Sequence, residues 1–236
     1  MDIKLLAVGS RPWELWLGYW GLSYLVDGTI LFDTFANYRV LERKLRKAQV
    51  DPSAIQSVVL SHDHWDHTGG LWTFLEKRPG IDVYLPATAK DAVKRRVAAA
   101  GGNLIDAPGI KTLKEDILLS EEMIGTFNGK SVAEQFILIK AEKGLVVLVG
   151  CSHPGIVAIV RKAKETFSAP IYGVIGGLHL MHAKTDGIYA CANELKNEGI
   201  RMVSPTHCAG RKAERVFRGV FGKGFAPSHE GSVLTL

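Results

Sequence analysis

Apolar and polar positions along this chain fall into short runs of period two and longer stretches of period near four, and the switch between them marks the elements. Residues 2–8 read as a strand. Two more apolar runs, 22–26 and 29–33, flank Asp27-Gly28, a two-residue turn signal that predicts a hairpin. Over 37–49 the period changes, with Val40, Leu41, Leu45 and Ala48 on one face and Arg43, Lys44 and Lys47 on the other, as in an amphipathic helix. Val58-Val59-Leu60 is a β-branched run of the kind that forms a buried strand. Gly69-Gly70 opens a short helix through Glu76 that Pro79-Gly80 ends. A strand over 81–85 and a helix over 88–100 follow, the helix basic on its outer face through Lys94, Arg95 and Arg96, which reads as a solvated face. Strands and turns fill 104–149, where the pattern is weakest.

From there the grammar repeats. Strand 144–150 delivers Cys151-Ser152-His153-Pro154-Gly155, and helix 155–167 carries Ile156, Val160, Ala163 and Phe167 on one side. Strand 171–175 ends in Gly176-Gly177-Leu178-His179, with helix 186–198 behind it. Strand 200–204 ends in Pro205-Thr206-His207-Cys208, then come a helix over 211–221 and a closing strand near 232–236. Hairpins early, strand–helix alternation late and no linker anywhere predict an α/β fold with residues 1–236 as one domain.

The chemistry gathers where the strands end. Residues 61–70 read Ser-His-Asp-His-Trp-Asp-His-Thr-Gly-Gly, so three histidines and two aspartates fall between His62 and His67, just past a buried strand. Imidazole nitrogen with carboxylate oxygen suits a borderline divalent metal such as zinc, and also iron or manganese. His62 and His64 alternate and can face one metal in an extended segment, while Asp66 and His67, after a turn, can face a second. A polar surface loop is the bland alternative, and five ligand-type residues closed by Gly-Gly argue against it. His153, His179 and His207 occupy the same position relative to their own strands, and ends of this kind collect along one edge of an α/β domain, where ligands bind. His182 and His229 lack that placement and read as structural or solvent-exposed.

Composition narrows the class. A chain of 236 residues with 47% hydrophobic and 22% charged residues has a real core and is not disordered. No apolar run approaches the ~20 residues needed to span a bilayer, so no membrane partner is expected. Cys151, Cys191 and Cys208 are too few for a disulfide framework. With no basic-then-apolar layout at Met1-Asp2-Ile3-Lys4, they point to a cytoplasmic protein. The net charge of +5 favours an anionic small-molecule substrate and is too dispersed to argue for nucleic acid. Trp13, Trp16 and Trp20 lie at helical spacing; core packing or an interface between copies is the first reading, and an apolar wall of a ligand pocket the second.

The stretch 61–70 resembles the H-x-H-x-D-H signature of the metallo-β-lactamase superfamily, fulfilled by His62, His64, Asp66 and His67. The likeness extends through Gly21-Leu22-Ser23, Leu31-Phe32-Asp33-Thr34, Gly150 to Ile156, Val174 to Leu180 and Ser204 to Cys208. Over these stretches the chain is similar to the branch of 7,8-dihydropterin-6-methyl-4-(β-D-ribofuranosyl)aminobenzene 5′-phosphate synthase. Three departures stand out: Phe35 occupies the expected glycine position of an Asp-Thr-Gly turn, the middle region is compact, and Cys151 falls where the superfamily carries a bridging aspartate, unless it is simply a small buried residue.

The resemblance implies a four-layer αββα sandwich and two divalent metals, zinc first, with iron or manganese as alternatives. It places one metal on His62, His64 and His153, and the other on Asp66, His67 and His207. Asp66 and His179 are then the candidate catalytic residues, and Asp63 and Thr68 candidates for orienting the imidazoles. The activity implied is hydrolysis of a small ester, lactone or phosphoester by a hydroxide held between the metals. A transferase joining a phosphoribosyl group to an aromatic amine is the alternative, with Arg11, Arg95, Arg211 and Lys212 available for phosphate. A nucleic-acid phosphodiesterase ranks last, since no added arm is present to grip a strand. A homo-oligomer stays open.

Overall fold

Both central residues of the first hairpin take positive φ, 47° at Asp27 and 70° at Gly28, the turn whose twist matches two antiparallel strands. In this computed structural model, which describes residues 1–106 and 108–236, that hairpin is β2 (Gly21–Val26) and β3 (Ile30–Phe32). It belongs to the first of two compact units, residues 1–109 with 229–236; the second is 110–228.

The first unit continues from β1 (Asp2–Gly9) and α1 (Pro12–Trp16) through the hairpin to α2 (Tyr38–Lys47), β4 (Ser57–Val59), α3 (Trp65–Thr68) and α4 (Leu71–Lys77). Then come β5 (Asp82–Leu85), α5 (Asp91–Ala99) and β6 (Asn103–Asp106). Its seven strands run in the order β15-β1-β2-β3-β4-β5-β6, where β15 (Val233–Thr235) is the returning C-terminal strand. β1, β2 and β3 pair antiparallel, whereas β3 to β6 are parallel, each crossover made through helix. α2 starts at Asn37, whose side chain accepts from the Arg39 N–H at 2.8 Å, satisfying one of the orphan donors of the first turn. Its apolar face drives Leu41 and Leu45 into a cluster with Val58, Leu60, Phe74, Leu75 and Val97. Leu41, Leu45 and Phe74 are each 1% exposed or less, and burying a side chain of that size stabilises by about 1.5–3 kcal/mol.

The second unit is built of β7 (Lys111–Lys114), β8 (Ile117–Leu119), β9 (Met123–Phe127), β10 (Lys130–Glu134), β11 (Ile137–Ala141) and β12 (Gly144–Val149). There follow α6 (Ile156–Phe167), β13 (Ile171–Gly177), α7 (Thr185–Asn197), β14 (Met202–Thr206) and α8 (Gly210–Phe221). Its six-stranded sheet has the order β14-β13-β12-β11-β8-β7, with β9 and β10 forming a separate two-stranded hairpin. β12, β13 and β14 are parallel; α6 and α7 between them, with α8 after β14, bury Ile159, Val160, Ile188, Leu195 and Phe217 in one cluster with Val147, Val174 and Val203.

The architecture is thus mixed α/β with two large sheets flanked by helices, the fold class expected. Among the described residues no helix is long and apolar enough to cross a membrane. The predicted elements recur within a few residues of their bounds. Residue 107 lies outside the described residues, and the rest of the weakly patterned stretch 104–149 supplies strands β7 to β11. The tryptophan stripe does not pack in the core of the unit. α1 is only five residues long and buries none of them; Trp16 is 89% and Trp13 53% exposed.

Parallel pairing fixes where the chemistry goes. Because β3 and β4 pair in parallel, with Phe32 opposite Val59, the loops after them leave the same edge of the first sheet. In the second unit the ends of β12, β13 and β14 likewise align, Val149 beside Gly176 and Gly177 beside Thr206.

Candidate metal centre

In the first unit, loop 61–67 is folded around the carboxylate of Asp33, which stands one residue past β3 at 0% exposure. Its Oδ1 accepts the Ser61 N–H at 2.7 Å, and its Oδ2 accepts the Ser61 hydroxyl at 2.8 Å and Nδ1–H of His67 at 2.6 Å. With its proton committed to Asp33, the Ser61 oxygen accepts Nδ1–H of His62 at 2.8 Å. Nδ1 of His64 lies 3.0 Å from Nε2 of His62, and the rings of His62 and His67 approach to 4.1 Å between centroids. Both Nδ1 positions are therefore occupied as donors, and His62 and His67 present Nε2 lone pairs. His64 is the extended N-cap of α3; its carbonyl accepts from the His67 and Thr68 N–H groups and from the Thr68 hydroxyl, each at 3.1 Å. That turn places the Asp66 carboxylate 3.5 Å from Nε2 of His67.

In the second unit a second carboxylate plays the equivalent part. Glu134, at the end of β10 and 1% exposed, accepts the N–H groups of Cys151 and Ser152 at 2.8 Å on Oε1, and that of His153 at 2.7 Å on Oε2. Oε2 also takes Nδ1–H of His153 at 2.9 Å. Burial pushes the Glu134 carboxyl up, but His153 and the backbone N–H groups outweigh it and hold the carboxyl below its ordinary value. The His153 ring lies 4.8 Å from that of His179, and donor atoms of Cys151, His153 and His179 fall within 4.8 Å of one another. Those of Cys151, His207 and Cys208 form a further such group. His179 and His207 both take φ of 51°, the left-handed conformation that turns a side chain sharply off the end of its strand. The His179 N–H is held by the Cys208 sulfur at 3.2 Å, while the His179 side chain stays exposed.

Comparison with known proteins gives this arrangement a family. A profile described as the β-lactamase superfamily domain matches residues 28–114. The 7,8-dihydropterin-6-methyl-4-(β-D-ribofuranosyl)-aminobenzene-5′-phosphate synthase of Methanocaldococcus jannaschii is 30% identical, covering 91% of this chain and 89% of its own. The chain belongs to the metallo-β-lactamase superfamily. Within that superfamily it is similar to Tm1679, a solved structure described as a metal-dependent hydrolase, with TM-score 0.79 and 26% identity over 100% of this chain and 99% of the other. The short form of human tRNase Z, at 14% identity and TM-score 0.65 over 100% and 99%, shares the fold.

The superfamily's ligand types are met by what each unit presents. Imidazole nitrogens, a carboxylate and thiols are donors for zinc or another borderline metal. The 3.0 Å between His62 Nε2 and His64 Nδ1 is close to the edge of a tetrahedron around such a metal, roughly 3.3 Å for bonds of 2.0–2.1 Å. The residues present fit a metal.

Asp63 does not orient a histidine; its carboxylate pairs with Lys90, 3.1 Å from Nζ. Thr68 acts on the His64 carbonyl instead of a ring. The residues that do hold imidazoles, Asp33, Ser61 and Glu134, carried no such role in the sequence reading. Phe35, where the resemblance led us to expect glycine, takes φ of 60°, and its ring is fully buried, 5.1 Å from that of Tyr19. His182 and His229 are exposed, as expected.

Proposed function

We propose that the protein is a metal-dependent hydrolase of a small, anionic ester, lactone or phosphoester, with residues 1–236 working as one domain in the cytoplasm. In this reading His62, His64 and His153 hold one divalent metal and Asp66, His67 and His207 the other, zinc before iron or manganese. The observation that carries it is the buried Asp33 carboxylate, which holds Nδ1–H of His67 so that Nε2 is left as a donor at the end of the histidine loop. The 26% identity to a metal-dependent hydrolase over essentially the whole chain supports the reaction class. Metals bound there supply Lewis acidity toward a carbonyl or phosphoryl oxygen and acidify water to a pKa of about 7.

The chain's own residues do the rest. Asp33 holds the ring of His67 and Ser61 that of His62, so these donors need little rearrangement. The Asp66 carboxyl group stands beside His67, 3.5 Å from its Nε2. His179, exposed next to His153, is placed to hold a hydrogen bond to the substrate or to pass a proton to its leaving group. Gly21 begins β2 so close to the Asp66 carbonyl that a Cβ there would fall 2.2 Å from the oxygen. The β1–β2 end of the sheet, which carries α1 and its exposed tryptophans, therefore adjoins the histidine loop and offers an apolar wall to substrate.

The second reading, a transferase of the dihydropterin–ribofuranosylaminobenzene phosphate synthase kind, is favoured by the 30% identity to that synthase. Arg11, Arg95, Arg211 and Lys212 are exposed and available for its phosphate. A panel of esters, lactones and phosphoesters, assayed beside phosphoribosyl transfer to an aromatic amine, separates the two. Turnover that is lost on chelation and restored by zinc supports hydrolysis. No hydrolysis together with transfer assigns the synthase reaction instead.

A further inference from the structure

The hairpin β9–β10 does not pair with the six-stranded sheet of its unit, yet three of its residues meet His153. Glu134 ends it and receives four N–H donors from Cys151, Ser152 and His153. Gly125 lies against the loop backbone, where a Cβ would fall 2.2 Å from the His153 carbonyl carbon. Phe127 sets its ring edge-on to His153 at 5.7 Å and to His179 at 5.5 Å. No purely local signal accounts for this convergence.

We propose that Glu134, carried by the β9–β10 hairpin, is the positioning residue for His153, fixing its ring as the Nδ1–H tautomer so that Nε2 is presented as a donor. The loop itself favours this. Ser152 takes φ of 64°, and the three successive N–H groups of residues 151–153 turn toward one point, a backbone nest of the kind that receives an anion. The anion is the chain's own carboxylate. Three backbone bonds lock the carboxylate in place, so the fourth, to Nδ1, has a fixed direction and the ring cannot flip without leaving a buried carboxylate oxygen underused. Phe127 on the outside limits rotation of the same ring. A neutral imidazole has one donor and one acceptor nitrogen, so committing Nδ1–H to Glu134 leaves the lone pair on Nε2. The value of that lone pair to a metal rests on the reading of His153 as a ligand proposed above; the orientation itself does not.

The test has two arms. Long-range proton–nitrogen correlation on the imidazoles of 15N-labelled wild-type protein, metal-free and with zinc added, reads the tautomer directly. His153 protonated on Nδ1 in both states is expected; an Nε2–H tautomer in metal-free protein overturns the proposal and needs no variant to fold. In the second arm, Glu134→Gln places an NH2 against donors and loses the bond to Nδ1. Chelator competition with zinc should show one metal equivalent weakened about 10–100-fold and the other unchanged, beyond any fall in thermal stability. A variant with lower stability but wild-type zinc affinity would make Glu134 a structural staple and refute the positioning role. If wild-type protein takes up no zinc, the hydrolase reading fails, while the tautomer arm still decides the role of Glu134.

Discussion

Replacing Asp33 with asparagine isolates what the first unit's buried carboxylate does, because the shape is kept and one acceptor becomes a donor. Asp33 is fully buried and receives three donors between 2.6 and 2.8 Å. In Asp33→Asn the amide oxygen can keep the Ser61 N–H. The NH2 then faces the Ser61 hydroxyl, which can turn, and Nδ1–H of His67, which cannot. Losing one charge-assisted bond and leaving one partner poorly satisfied costs about 2–4 kcal/mol. For a chain of this size that lowers Tm by roughly 5–15 °C. The chemical consequence is larger than the energetic one. An NH2 at that position favours a His67 with its lone pair on Nδ1 and its proton on Nε2, the wrong tautomer for a ligand, and metal affinity should fall about 10–100-fold. Thermal denaturation of metal-free protein and chelator competition measure the two effects separately. Wild-type zinc affinity in a folded Asp33→Asn variant would refute the claim that this carboxylate sets the His67 tautomer.

Phe35→Gly should destabilise the protein, since relief of the positive φ is worth about 1–2 kcal/mol and loss of a buried phenylalanine about 3–5 kcal/mol; a higher Tm would show that backbone strain outweighs the ring. Burial, helped by Glu194, pushes the Cys191 thiol up to about 11. Iodoacetamide should therefore label it slowly at pH 8, where roughly one thiol in a thousand is ionised, and faster as pH rises; labelling at the rate of a free thiol at pH 8 contradicts this. Trp16→Ala should change stability by no more than about 0.5 kcal/mol yet raise KM for substrates bearing an aromatic group. An unchanged KM with an altered sedimentation coefficient would move the α1 tryptophans to an interface between copies.

The parts of this molecule that were legible in the sequence are those whose signal is local. The strand–loop–helix units after Leu60, Val149, Gly177 and Thr206 each carry apolar run, turn and histidine within about a dozen residues, so their order and the placement of histidines at strand ends could be read directly. What could not be read are the partners. Asp33 lies 28 residues from Ser61 and 34 from His67, and only the parallel register of β3 on β4 brings them together. Asp63 was a candidate to orient the imidazoles because it is adjacent to them, yet its carboxylate pairs with Lys90 instead. Glu134 was invisible for a related reason: its hairpin is half-polar, alternates weakly and sits in the one stretch where period could not decide the elements. Of the readings of the tryptophans, core packing fails, because a five-residue helix between two loops has too little length to bury a face.

The central claim is that these histidines and Asp66 exist to hold metal, and metal content measures it most directly. Protein purified without chelator, then stripped and titrated with zinc, should bind about two equivalents, read by elemental analysis beside calorimetry. His64→Ala and His207→Ala should each lose affinity for one equivalent and abolish turnover, while His179→Ala should keep both and lose turnover. Tight binding of fewer than one equivalent by the wild-type chain, or full activity after exhaustive removal of metal, would contradict the account.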